Sequence, residues 1–193
     1  MTVRLVLIAH APTAATKAAS FPGDEPVTEA GRLAAESAVG ALRRIGTALC
    51  GPERRCLETS RALGLTAKVE PALADLDVGA WRGEQMERVQ ATAPEGLVAW
   101  LTDPDAVPHG GESISGMLTR AVGFLDALPR EPSRIVAVTH PAFIRAAVLH
   151  VLGAPARGFW NLDVTPLSQT HLSWNAGKWR LRETGHPLAS AAD

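Results

Sequence analysis

Residues 3–10 read VRLVLIAH and residues 134–140 read RIVAVTH. Each is a β-branched apolar run that ends in a histidine, the pattern of a strand buried on both faces that stops where the chain turns polar. Pro12 follows the first run and Pro141 the second, so neither run continues as a strand. Pro141 instead suits the first turn of a helix over 142–152. Two buried strands with helical segments between them predict an α/β fold, a three-layer α/β/α sandwich on a mostly parallel sheet. Ligands of such sheets sit beyond the C-terminal ends of the strands, where both His10 and His140 fall.

Working outward, Leu33, Ala34, Val39, Leu42 and Ile45 recur at helical intervals after Thr28, a capping residue, which predicts a helix of several turns from 28 to 46. Thr47–Cys50 reads as a short strand, Gly51 and Pro52 as a turn, and Arg54–Leu63 as a helix closed by Gly64. Thr66–Val69 is another strand candidate. Between 72 and 111 the prolines at 94, 104 and 108 leave no sustained period, so this stretch is expected as an irregular excursion over the active-site face. A helix is expected over 112–128. Strand-like segments follow at 162–164, 170–174 and 179–181, with a turn at 175–177. One domain is expected over 1–193, with its core at about 3–182 and a frayed tail at 184–193.

Composition narrows the function. Hydrophobic residues make up 46% and charged residues 20% of the 193 residues, values of a folding globular chain. Nineteen Lys and Arg against twenty Asp and Glu leave no net field to attract nucleic acid or anionic membrane. The apolar run at 5–9 is too short for a signal peptide or a membrane span, so the protein is expected to be cytoplasmic. Cys50 and Cys56 lack zinc-motif spacing and read as two buried thiols, with no metal site indicated.

His10 and His140 become neighbours if their strands pair. Arg55 lies in the first turn of a helix, where a guanidinium and free backbone N–H groups can hold an anion. Alternatively Arg54, Arg55 and Arg61 only solvate that helix.

LIAHAPT (7–13), VTEAGRLAA (27–35), GPERRCLETSRALG (51–64), LADLDVGAWRG (73–83), GGES (110–113) and VTHPAFIR (138–145) follow one another as the motifs of the histidine phosphatase superfamily do, and over about 3–182 the chain resembles that family, which includes phosphoglycerate mutases. The resemblance implies that His10 is the nucleophile, that Arg55 and His140 hold phosphate, and that Asp75, where the family often has glutamate, is the proton donor. It also implies that Thr13, Glu112 and Ser113 line the pocket. Three departures stand out. Ala9 replaces the arginine of the usual Arg-His-Gly, Ala11 replaces its glycine, and the Ser-Pro-Leu-x-Arg-Ala pattern is here Gly51-Pro52-Glu53-Arg54-Arg55-Cys56. Thr13, Lys17 or Arg145 could stand in for the lost cation. The implied activity is hydrolysis of a small phosphate monoester through a phosphohistidine, without cofactor or metal and with no nucleic-acid or membrane partner. A mutase fits less well. The alternative is a weak or inactive phosphatase-fold protein that acts as an anion-binding or regulatory module.

Overall fold

The computed structural model describes residues 2–42 and 44–188. A six-stranded sheet forms the middle layer: β1 (Val3–Ala9), β2 (Thr47–Cys50), β3 (Lys68–Val69), β4 (Ser133–Thr139), β5 (Ser168–Asn175) and β6 (Lys178–Pro187), in the order β3-β2-β4-β1-β5-β6. The first four strands are mutually parallel, and β5 and β6 add an antiparallel edge. The helices are α1 (Ala14–Ala18), α2 (Glu29–Ser37), α3 (Arg54–Ala62), α4 (Met86–Thr92), α5 (Pro94–Thr102), α6 (Ile114–Ala127) and α7 (Pro141–Leu152).

Strand alternation divides the core in two. Leu5, Leu7, Ile135 and Ala137 join Met117, Ala121, Phe143 and Ile144 of α6 and α7 in one cluster. Val6, Ile8, Val136 and Val138 join Ala35 of α2 and Cys56 of α3 in the other. The expected sandwich is thus formed, with β1 and β4 paired at its centre.

Several boundaries differ from expectation. The helix expected over 28–46 stops at Ser37 because the chain turns through Gly40, whose φ of 89° lies in the left-handed region that glycine adopts freely. The excursion at 72–111 contains α4 and α5. Pro94 opens α5 at a helical N-terminus, where its missing N–H costs nothing, and does not break it. Aromatic contacts join this excursion to the body: Phe21, Trp81, Trp100 and Trp160 form a chain of rings with centroids 4.5–5.9 Å apart. Residues 162–164 are not a strand; a 3-10 turn at Ala156–Asn161 precedes them. The expected tail is strand through Pro187, paired to Ser168, and 189–193 lie outside the described residues. Among the described residues no helix is long and apolar enough to cross a membrane.

Candidate active site

Parallel register sets Ala9 opposite Thr139, so the next residues, His10 and His140, leave the sheet side by side. The amide of His10 still donates to the Thr139 carbonyl at 2.9 Å, and the imidazole centroids lie 5.2 Å apart. His10 Nδ1 is 2.8 Å from the Ala11 carbonyl, which can only accept. That bond places the neutral ring's proton on Nδ1 and leaves the Nε2 lone pair free. Burial, reinforced by the charges of His140 and Arg55, lowers the His10 pKa to about 3, so the ring is neutral over the physiological range. The loop is anchored from below, since the Ala11 amide donates to Thr59 Oγ1 at 2.9 Å.

Arg55 enters from the first turn of α3 and is 1% exposed. Its guanidinium donates to the Gly23 carbonyl at 2.7 Å and to Asp75 Oδ2 at 2.6 Å. His140 is fully buried: Nε2 lies 2.7 Å from Glu53 Oε2, and Nδ1 lies 3.3 Å from Asp75 Oδ2 and is also approached by the Arg55 Nε donor at 3.3 Å. Burial alone would lower its pKa, but the Asp75 carboxylate and Cys56 outweigh burial and raise it well above the ordinary value. The same interactions act in reverse on the acids. Burial would raise Asp75, yet His140 and Arg55 hold it far below the carboxylate range. His140 likewise holds Glu53 down against its burial.

His10, Arg55, Asp75 and Thr13 line one cavity of about 220 Å³, which Glu25 and Arg145 also border. A larger one of about 540 Å³ lies at the other end of the strands, beside Arg4, Arg134 and Arg180. It is lined by a His171–Glu183 pair 3.5 Å apart, but the two strand-end histidines and Arg55 converge at the smaller one, so size does not locate the chemistry. Thr13 is buried and caps α1 through Thr16. Glu112 and Ser113 are not brought into the site cavity. Ser113 caps α6 by accepting from the Gly116 amide at 3.0 Å. Glu112 pairs with Arg120 at 2.6 Å, and Arg120 donates to the carbonyls of Ala72, Ala74 and Asp75. Glu112, through Arg120, thus supports the Asp75 segment from behind. Sequence reasoning overlooked Glu53 and Glu25. An acid two residues before Arg55 was the available signal for the first.

A family model described as histidine phosphatase superfamily (branch 1) matches residues 5–186. A glucosyl-3-phosphoglycerate phosphatase of Mycobacterium tuberculosis is 29% identical, with 92% of each chain covered. Phosphoserine phosphatase 1 of Hydrogenobacter thermophilus is 28% identical over 82% of this chain and 81% of its own. The native structure of a mycobacterial glucosyl-3-phosphoglycerate phosphatase superposes with a TM-score of 0.82 at 25% identity, covering 96% of this chain and 100% of the other.

Proposed function

Because this chain belongs to the histidine phosphatase superfamily, we propose that it hydrolyses a small phosphate monoester through a phosphohistidine formed on His10. It is a phosphoric monoester hydrolase of the histidine phosphatase type. The observation that carries the assignment of His10 is its hydrogen bond to the Ala11 carbonyl, which fixes a neutral ring with Nε2 unprotonated beside a buried cation pair.

Nε2 attacks phosphorus in line, and the P–N bond forms as the bond to the leaving oxygen breaks. Arg55 and the His140 imidazolium hold the equatorial oxygens, charges already in place before the reaction. Asp75 protonates the leaving oxygen. It then takes a proton from the water that attacks the phosphohistidine, and the P–N electron pair returns to Nε2.

In the free pocket Asp75 is ionised. A bound phosphoryl group draws on the same Arg55 and His140 charges and adds negative charge beside Asp75, so the carboxylate takes up a proton when substrate arrives. The Ala9 side chain is packed in the core, and in place of the family's arginine the second cation at the cavity is Arg145. Its Nε is anchored to the Leu162 carbonyl at 2.7 Å, which leaves its terminal nitrogens for the ligand. The cavity of about 220 Å³ suits a phosphoryl group with a compact leaving group. We read the location as cytoplasmic, with Cys50 and Cys56 as free buried thiols.

The test is phosphate release from a panel of small monoesters in the presence of chelator. Turnover that disappears in His10→Ala supports the reading, and turnover that survives that change overturns it.

A further inference from the structure

Where the family pattern has serine, leucine and alanine, this chain has Gly51, Glu53 and Cys56, and all three replacements surround one atom, His140 Nε2. Glu53 Oε2 lies 2.7 Å from it and Cys56 Sγ 3.2 Å. The three donor atoms lie within 4.8 Å of one another. A Cβ built on Gly51 would fall 3.1 Å from Nε2, 3.1 Å from Glu53 Oε2 and 2.9 Å from the Leu73 carbonyl oxygen. A side chain at 51 would press on these electron-rich atoms, and glycine keeps it from them. A carboxylate, a thiol and an imidazole are a borderline-soft donor set suited to zinc.

We propose that Glu53, Cys56 and His140 form an inhibitory site for Zn²⁺ or a cation of its class. The inhibition, though not the binding, rests on the reading of His140 as a phosphate clamp. Around a tetrahedral zinc, nitrogen, oxygen and sulfur donors stand roughly 3.3 to 3.6 Å apart. The present gaps to Nε2 are narrower, as hydrogen bonds are, and small side-chain rotations of Glu53 and Cys56 open them. Zinc replaces the Nε2 proton and the thiol proton, and both leave to solvent. The imidazole then carries its remaining proton on Nδ1, directed at Asp75 in place of the bond that Arg55 Nε donates there, and water completes the fourth position. His140 is drawn onto the metal and its imidazolium charge is lost to the phosphate site. Cys56 touches His140 but has no contact with the cavity, so its removal reports on metal binding once its own metal-free turnover is the baseline.

Chelator-stripped protein is titrated with Zn²⁺ against a chromophoric chelator and, separately, with Co²⁺, whose bonds to thiolate absorb in the near ultraviolet. One equivalent should bind, the cobalt protein should show thiolate absorption, and phosphate release should fall in step and return with chelator. Cys56→Ala, compared with its own metal-free turnover, should lose the cobalt absorption and weaken zinc binding by about 10-fold or more. Cys50→Ala should behave as wild type, and Glu53→Leu gives a second loss of affinity if Cys56→Ala folds poorly. Equal zinc affinity in wild type and Cys56→Ala overturns the site. Stoichiometric binding with undiminished turnover overturns the inhibition. Absence of turnover in the metal-free protein instead fails the phosphatase reading, while the cobalt spectrum still reports the site.

Discussion

Asp75 and Arg145 carry the two single-residue consequences of the departures around His10. On the proposed mechanism Asp75 supplies a proton that is needed only when the leaving oxygen is a poor one. Asp75→Asn should therefore slow hydrolysis of alkyl phosphates by about 10²-fold and leave activated aryl phosphates much less affected. A parallel series of kcat/KM values against leaving-group pKa checks this, and an equal loss across the series sinks the assignment. Arg145 lies against Phe159 and Trp160, its guanidinium carbon 5.7 and 5.5 Å from the ring centroids. Those faces and the Leu162 carbonyl fix its direction. Arg145→Met keeps the apolar stem and removes the charge, so vanadate affinity should fall about 10-fold or more by calorimetric titration. Ala11 stands where the family has glycine. It is not among the non-glycine residues of positive φ, so alanine is tolerated there, and exchange for glycine has no strain to relieve.

At the scale of elements, β1, β4 and α3 converge, and Thr59 ties α3 to the loop that follows β1. Its hydroxyl donates to the Arg55 carbonyl at 2.6 Å and accepts from the Ala11 amide. Thr59→Val preserves shape and orphans that buried amide, an outcome worth about 1–3 kcal/mol of stability. Urea denaturation should show that loss, together with reduced kcat as the His10 loop slackens; an unchanged midpoint would mean the bond contributes nothing. These three elements were the most legible in the sequence, because apolar runs ending in His10 and His140 and a turn before Arg55 each announce themselves locally. Glu112 and Ser113 were misread because a helix cap and a pocket residue look alike in sequence, and only the packing of α6 assigns Ser113 to the cap. Glu53 was missed because its partner, His140, is 87 residues away, and no local period reveals such a pair. Pro94 was misread because proline both ends helices and begins them.

On the scale of the whole molecule, the site acts on folding through its proton balance. The sign for each group follows from comparing protons bound in the folded and unfolded chain. His140, raised above its ordinary value, adds stability that is complete below about pH 6.5 and is lost as pH rises through its folded pKa. Asp75 and Glu53, both lowered, add stability that is present above about pH 4 and is lost in acid. His10 behaves differently from its partner. Its folded pKa is about 3, so between that value and about pH 6.5 the unfolded chain holds a proton there that the folded chain does not. Stability must then fall by up to about 1.4 kcal/mol per pH unit as acid is added across that window. Neither His140, already protonated there, nor the two carboxylates, still ionised above about pH 5, changes its proton count in the upper part of it. His109 and His171, both lowered mainly by burial, tilt the slope the same way in wild type and variant alike. His10→Asn removes only the His10 contribution. Urea midpoints and slopes measured for both proteins at pH 6.5 and 5.0 should show wild type losing more stability than His10→Asn, by an amount on the order of 1–2 kcal/mol. Identical losses would mean that His10 is solvated and titrates normally, so that burial does not hold the ring neutral below about pH 6.5.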